Sequence, residues 1–562
     1  MPKGVRVQVP SRAPFSTQSP PRPWGGLWTF SRIFVSTDSE ISRRRTFAII
    51  AHPDAGKTTL TEKFLLYGGA IQMAGSVKAR RAQRAATSDW MAIERERGIS
   101  VTSTVLQFEY EGYKVNLLDT PGHQDFGEDT YRTLMAADAA IMLLDGGKGV
   151  EPVTEKLYAV CKLKGLPVFT FVNKMDRPSL EPLQILDELK AKLGLDAYPV
   201  NWPIGNGPSF CGVADPASRR ALLFERQDRG AREALSREAG LEDPAIEAKI
   251  GPEALKALRD ELDMLATMGL NHDDEMVQAG LLSPVFFGSA VTNFGVEPLL
   301  QGFLKLGPGP HARPLSDGGE LRPDDPRFSA FVFKTQANMD PKHRDRIAFL
   351  RVVSGRFEGG MEAFHQRLGK DVRLNNPKEF FGRERDTVTE AWPGDILGLM
   401  NAGQLRIGDT LTADKALRFP GIPRFPAEHF GILRCAPSSR KAFNKGLEEL
   451  LQEGAIQGFR DASAGGNDLV LGAVGPLQFE VLQYRLLAEY GAKTDLEKLT
   501  YKVARWLQGP PEALAALKDA NTCRVLQDLD GHAVGLFRDV WTLESTLRNH
   551  TRLQFLVLAP TR

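Results

Sequence analysis

The 562-residue chain is long enough for three to four domains with real cores. Its 42% apolar and 25% charged residues fit a soluble globular protein and argue against a disordered or fibrous one. The 71 Lys and Arg against 70 Asp and Glu leave a net charge of +1, which excludes a bulk polycation that coats nucleic acid through counterion release. Ala139–Leu144, the longest apolar stretch, is far too short for a membrane span. Cys161, Cys211, Cys435 and Cys523 form no CxxC pair, so neither a disulfide framework nor a zinc ribbon is indicated. A cytoplasmic protein without a membrane partner is the expectation.

The N-terminal stretch is a different material. Residues 1–45 carry eight basic residues (Lys3, Arg6, Arg12, Arg22, Arg32, Arg43, Arg44 and Arg45) against Asp38 and Glu40. Prolines at 2, 10, 14, 20, 21 and 23 forbid a sustained helix or an interior strand. Residues 1–43 are therefore expected to form a disordered basic extension. Organelle targeting is a second reading that the prolines disfavour.

From Arg45 the texture changes. Thr46–Ile50 is a β-prone run feeding into Ala51-His52-Pro53-Asp54-Ala55-Gly56-Lys57-Thr58, after which Thr59–Leu65 reads as a helix. Strand, eight-residue loop ending in GKT, and helix are the context of a phosphate-binding loop. Its backbone N–H groups and the helix N-terminus would converge on phosphates. Lys57 would bridge the β- and γ-phosphates, and the Thr58 hydroxyl would ligate Mg²⁺. A strand-like Tyr113–Leu118 runs into Asp119-Thr120-Pro121-Gly122-His123. There Asp119 is placed to hold Mg²⁺ through water, and Gly122 lets its N–H approach the γ-phosphate without a crowding side chain.

Two further apolar runs, Ala139–Asp145 and Val168–Val172, read as buried parallel strands, and the second delivers Asn173-Lys174-Met175-Asp176. The Asp176 carboxylate can accept from both N1–H and the exocyclic amine of guanine. Adenine offers neither, and a site built to pair such donors rejects the analogue by roughly 10⁴-fold or more. Asn173 and the Lys174 stem would frame the base. A last strand, Pro284–Phe287, ends in Gly288-Ser289-Ala290, where the Ser289 and Ala290 backbone could donate to guanine O6.

In this order the motifs resemble those of GTPases of the translational-factor class. The narrower resemblance is to the peptide chain release factor three family, the class II release factors of bacteria, and it runs from about Arg44 into the mid-500s. It is carried by the phosphate-binding loop, Ser88–Met91, Arg97–Ser100, Phe287–Ala290 with Asn293–Val296, Met339–Arg346, Gly454–Gln457 and Val474–Phe479. Gln124, Val153 and the basic extension depart from the family pattern. The resemblance implies that Glu94–Thr102 is the first switch, with the Ser100 hydroxyl on Mg²⁺, and that His123 orients the attacking water. It also implies a ribosome-stimulated GTPase, cycling between GTP and GDP with Mg²⁺, that acts on the ribosome as a monomer and promotes release of class I release factors after peptide release. Two alternatives stay open: a translocase-like or ribosome-protection GTPase resembling elongation factor G, and a GTP-dependent scaffold with little turnover.

The expected architecture is an α/β P-loop GTPase domain with a mostly parallel sheet, a small β-barrel domain and an α+β domain. The boundaries are 44–312 for the GTP-binding domain, 313–327 for a Pro/Gly/Asp-rich linker, 328–420 for the barrel and 421–562 for the last domain. An insertion of helical texture lies between Asn173 and Ser289. It includes Ala231–Leu235 and an amphipathic helix after Pro252 with Leu255, Leu258, Leu262 and Leu265 inward. Short β-rich runs at Phe328–Lys334, Arg346–Val353 and Asp395–Met400 suit the barrel. In the last domain Leu447–Glu453 and Leu477–Tyr490 read as helices and Asp468–Ala473 as a strand, with Leu477, Val481, Leu482, Tyr484 and Leu486 as core. Lys342, His343, Arg344 and Arg346 are a candidate rRNA contact or a solvated hairpin tip.

Overall fold

Strand β1 (Arg44–Ala51) is buried along its whole length, and its side chains alternate between two cores. Ala48 and Ile50 join Leu118, Met142 and Val168 on one face, while Phe47, Ile49 and Ala51 join Leu60, Phe64 and Phe303 on the other. A strand apolar on both faces needs helices on both, which is the arrangement of a parallel sheet. The computed structural model describes residues 37–70, 102–225, 235–337, 346–375, 377–381, 384–400, 403–461 and 469–560. Beside β1 lie β2 (Thr104–Tyr110), β3 (Tyr113–Asp119), β4 (Ala139–Asp145), β5 (Val168–Asn173), β6 (Asp196–Pro199) and β7 (Leu282–Phe287). Their order is β2-β3-β1-β4-β5-β7-β6, with only β2 antiparallel. Register places Ile49 beside Asp119 and Asp145 beside Asn173, so every motif emerges at the carboxyl edge of the same sheet.

The insertion between Asn173 and Ser289 is not purely helical. Trp202–Ile204, Gly212–Asp215, Arg220–Glu225 and Leu235–Gly240 form a four-stranded antiparallel sheet. Leu235, read as the end of a helix, opens its last strand, and Ala231–Ala234 lie outside the described residues. The Asp215 carboxylate accepts from the N–H groups of Ala217 and Ser218, closing a hairpin that a helical pattern does not anticipate. Pro252–Met268 is a helix as expected, with Leu255, Leu258, Leu262 and Leu265 buried. At the other end, Thr37–Ser42 is helical although it falls within the stretch expected to be irregular. No proline follows Pro23 there, and Glu40 pairs with Arg43 and Arg44 one turn later. The remainder of that extension lies outside the described residues.

Ser329–Ala337, Arg346–Ser354, Ile396–Met400 and Thr410–Thr412, with shorter strands, curl into an antiparallel half-barrel over Val332, Leu350, Val352, Leu397 and Leu411. In the last domain an eight-stranded antiparallel sheet carries the helices Arg440–Gln452 and Pro476–Tyr490, and Leu477, Val481, Leu482 and Leu486 are buried while Tyr484 is half-buried. Arg346 turns toward this domain: its guanidinium meets Gln452 (2.6 Å) and Glu449 (3.2 Å), so it is not a free RNA contact. Lys342, His343 and Arg344 lie outside the described residues. No helix among the described residues is long and apolar enough to cross a membrane.

Two buried carboxylates join the half-barrel to the sheet domain. Asp138, fully buried before β4, meets Arg351 of the half-barrel and Arg313 of the linker (3.0 Å). Asp395 of the half-barrel accepts from Arg44 Nε of β1 (2.8 Å) and from the Trp392 N–H (2.9 Å). Burial by itself would raise the Asp395 pKa, but Lys114, Arg44 and that N–H outweigh it and hold the carboxyl below its usual value. Removing one member of such a pair strands the other. Asp395→Ala is therefore expected to cost about 3–5 kcal/mol in denaturant unfolding at neutral pH. Because the folded pKa is depressed, the wild-type contribution is complete above the ordinary carboxylate range near pH 4 and disappears as pH falls through the folded value. The gap between wild type and variant should close on acidification.

Candidate functional site

The loop after β1 is shaped by two unusual backbone positions. Asp54 sits at φ +67° and Gly56 at φ +106°, just before helix α1 (Lys57–Tyr67). A β-carbon on Gly56 would lie 2.4 Å from Asn173 Nδ2, so glycine is required by both conformation and space. The contact it makes room for is the central one. Asn173 Nδ2 donates to the Ala55 carbonyl (2.8 Å), and Asn173 Oδ1 accepts from the Ala290 N–H (2.8 Å). One buried carboxamide thus ties the loop after β1 to the loop after β7. Lys174, at φ +68°, adds a second tie, with Nζ between the Asp54 carbonyl (2.6 Å) and the Asp145 carboxylate (2.7 Å).

Asp176 is half-buried and accepts from Ser289 Oγ (2.7 Å), which holds the carboxylate at the mouth of this loop pair. The backbone amides of that loop have partners within the chain. Ser289 N–H donates to the Phe294 carbonyl (2.8 Å) and Ala290 N–H to Asn173, so neither amide expected for guanine O6 is unengaged. The loop after β7 holds Asp176 and Asn173 in place. Met175 belongs to the core: it is fully buried, and only its backbone N–H, bonded to the Gly288 carbonyl (3.1 Å), faces the loop.

On the other side of α1, Lys57 Nζ lies 2.6 Å from Asp119 Oδ1, both nearly buried. Thr58 follows on the exposed side of the first turn, half-buried. A hydroxyl and a carboxylate are hard oxygen donors of the kind Mg²⁺ takes, and the pair fits that ion. Ser100, the third expected donor, and the rest of Glu94–Val101 lie outside the described residues, as do Ser88–Met91 and Met339–Asp345. Thr120 Oγ1 donates to the Ile49 carbonyl (2.6 Å), so its hydroxyl fastens β3 to β1. Pro121 offers its carbonyl to Thr130 Oγ1 (3.4 Å). A β-carbon on Gly122 would sit 3.8 Å from the Pro53 backbone, which puts the two loops in ordinary contact. His52 Nε2 approaches Glu151 Oε1 at 3.4 Å.

His123 is one-third exposed and packs its ring edge-on to Phe126. Its Nδ1 accepts from the Asp125 backbone N–H (3.3 Å), and Asp125 Oδ1 lies 3.3 Å from the same nitrogen. Sequence reasoning assigned no role to Asp125 or Asp145. For Asp145 a signal existed, since a carboxylate ending a fully apolar strand is costly unless it meets a cation; Lys174 is that cation.

Comparison with known proteins assigns each part of the chain to a known family. A family model described as the elongation factor Tu GTP binding domain matches residues 42–308, one for elongation factor G domain 2 matches 327–414, and one for the class II release factor RF3 C-terminal domain matches 419–547. The chain is 53% identical over 523 residues to peptide chain release factor 3 of Nostoc punctiforme, covering 92% of this chain and 96% of that one. It is 52% identical over 529 residues to peptide chain release factor 3 of Symbiobacterium thermophilum, covering 94% of this chain and all of that one. A crystal structure of a Thermus thermophilus protein superposes with a TM-score of 0.65 at 26% identity, over 84% of this chain and 71% of that one.

The crowding at Gly56 gives a direct test of the two-loop clamp. Gly56→Ala should displace the Asn173 carboxamide and weaken binding of a fluorescent GDP analogue by at least about 10-fold, the equivalent of one buried hydrogen bond and its stranded partner. Unchanged affinity in that titration would contradict it.

Proposed function

The chain belongs to the peptide chain release factor 3 family, and from that premise we propose how its own residues carry out the chemistry. It is a translation-termination GTPase that works with the ribosome. The observation that carries the residue-level reading is the Asn173 carboxamide, bonded at once to Ala55 and Ala290. With the phosphate loop and the base loop held together, one guanine nucleotide can span both. Asp176 would accept from N1–H and the 2-amino group, with Ser289 keeping its carboxylate aimed. The Ala51–Thr58 backbone and the α1 N-terminus would bind the phosphates, with Lys57 turning from Asp119 to the β- and γ-oxygens. Thr58 and Asp119, with Ser100, would hold Mg²⁺, which supplies charge neutralisation at the phosphates.

The lytic water is the task of His123. Asp125 occupies Nδ1, which leaves Nε2 as the ring nitrogen that would orient water for in-line attack. Charge compensation from Lys57 and backbone donors, not covalent catalysis, lowers the barrier. Slow turnover alone and fast turnover on the ribosome follow, because the first switch and His123 must be ordered together. The biological step we assign is displacement of class I release factors from the ribosomal factor-binding site by a cytoplasmic monomer. The match of residues 419–547 to the release-factor C-terminal domain favours this over a translocase.

Phosphate release measured with GTP and ATP in parallel, with and without ribosomes, should show activity with GTP only and strong ribosome stimulation. Equal hydrolysis of ATP would contradict the role of Asp176. His123→Ala should slow ribosome-stimulated single turnover by about 10²-fold or more while GDP affinity holds. Asp176→Asn should weaken GDP binding by about 10- to 100-fold, the loss of a charge-assisted pair.

A further inference from the structure

The first turn of the helix α2 (Pro476–Tyr490) in the C-terminal domain is capped by a residue of a different domain. Pro476 has no N–H, so Leu477 carries the first donor that the helix cannot satisfy internally. The N-cap position is Gly475, which has no side chain to supply the missing acceptor. Asp125 fills the gap: Oδ2, in a residue only 4% exposed, accepts from Leu477 N–H at 2.8 Å. A carboxylate at a helix N-terminus also meets the positive end of the macrodipole. The absence of a side chain at 475 is a requirement, since a β-carbon there would lie 2.0 Å from Asp125 Cγ. Gly475 has φ −140°, so the demand is for space and not for an unusual backbone. Its own helix reaches back the other way, with Gln478 Oε1 accepting from Val474 N–H (2.7 Å) and from the Gly475 N–H (3.4 Å).

The same carboxylate touches the residue that orients water. Asp125 Oδ1 and the Asp125 backbone N–H both lie 3.3 Å from His123 Nδ1. One oxygen therefore faces the imidazole and the other the helix of the C-terminal domain. The next helix of the sheet domain, Gly127–Ala136, makes contacts to that domain of its own: Arg132 donates to the Gly454 carbonyl (3.2 Å) and Glu128 accepts from Gln457 Nε2 (3.1 Å).

We propose that Asp125 is a positioning residue that caps helix α2 across the domain boundary and thereby makes the placement of His123 depend on where the C-terminal domain sits. Gly475 is its counterpart on the C-terminal domain. This rests on the reading of His123 given above, and the experiment separates the two. Asp125→Ala, Asp125→Asn, Gly475→Ala and the double Asp125→Ala/Gly475→Ala variant are compared with His123→Ala in the full chain. Three readouts are taken: hydrogen exchange of the amides at 476–480, GDP dissociation constant, and ribosome-stimulated single-turnover GTP hydrolysis. Asp125→Ala and Gly475→Ala should each speed exchange at the helix start by about 5-fold, the usual effect of a lost cap. Each should slow hydrolysis at least about 5-fold with GDP affinity unchanged, and the double variant should be no slower than the slower single one. Asp125→Asn, which is isosteric and keeps an acceptor oxygen, should retain most of the rate. Exchange that does not change in Asp125→Ala, wild-type hydrolysis in Gly475→Ala beside an impaired His123→Ala, or effects that multiply in the double variant would each overturn the proposal alone. Wild-type hydrolysis by His123→Ala would remove the role of His123, and with it the purpose of the cap, even where the exchange result stands.

Discussion

The Asn173 carboxamide is the joint on which the site depends. Its two ends reach loops that leave β1 and β7, and they reach them only because β4 and β5 lie between those strands in parallel register. A carboxamide of fixed length can satisfy both partners at one separation of the loops. The phosphate cradle and the base-reading carboxylate are therefore set apart by a distance that the sheet defines and Asn173 enforces. Gly56 leaves the space, Lys174 braces the same gap through Asp145, and Ser289 aims Asp176. A buried polar group of this kind is costly unless every atom is partnered, and here the nitrogen and the oxygen both are.

The two later domains meet the sheet domain in physically different ways. The half-barrel is attached through buried charges: Asp138 with Arg351 and Arg313, and Asp395 with Arg44. Separating those surfaces would leave charges dry and unpaired, so this junction is built to stay closed. The C-terminal domain meets the segment after His123 through helix-end donors, backbone carbonyls and the Gln457 amide. Those groups can exchange protein partners for water at small net cost. The half-barrel also reaches the C-terminal domain, through Arg346 to Gln452 and Glu449, so each of the three domains meets the other two.

Much of this was legible in the sequence because the motifs sit at the ends of fully apolar strands. GKT after Thr46–Ile50, Asp119 after Tyr113–Leu118 and Asn173–Asp176 after Val168–Val172 all emerge where the strand pattern says they must. What could not be read was anything decided by a partner far along the chain. The strands at 202–240 are only three to six residues long, and residues 231–235 have a helix-favouring composition while Leu235 pairs with Glu225 in a hairpin. Arg346 belonged to a basic run, yet its charge faces Glu449 more than a hundred residues on. The Ser289 and Ala290 amides follow the expected motif, but Phe294 and Asn173 already engage them. Asp125 and Gly475 lie 350 positions apart, and no local pattern marks either; the one faint sign is a glycine and a proline opening a long apolar helix with no capping side chain.

The central claim is that one guanine nucleotide spans the loops that Asn173 joins, with base identity tested at Asp176. Isothermal titration of the full chain with GDP, ADP and GMP examines this without reference to turnover or the ribosome. GDP should bind roughly 10⁴-fold more tightly than ADP, and GMP far more weakly than GDP, because both loops must be engaged by the same ligand. Comparable affinity for ADP and GDP, or for GMP and GDP, would contradict the account.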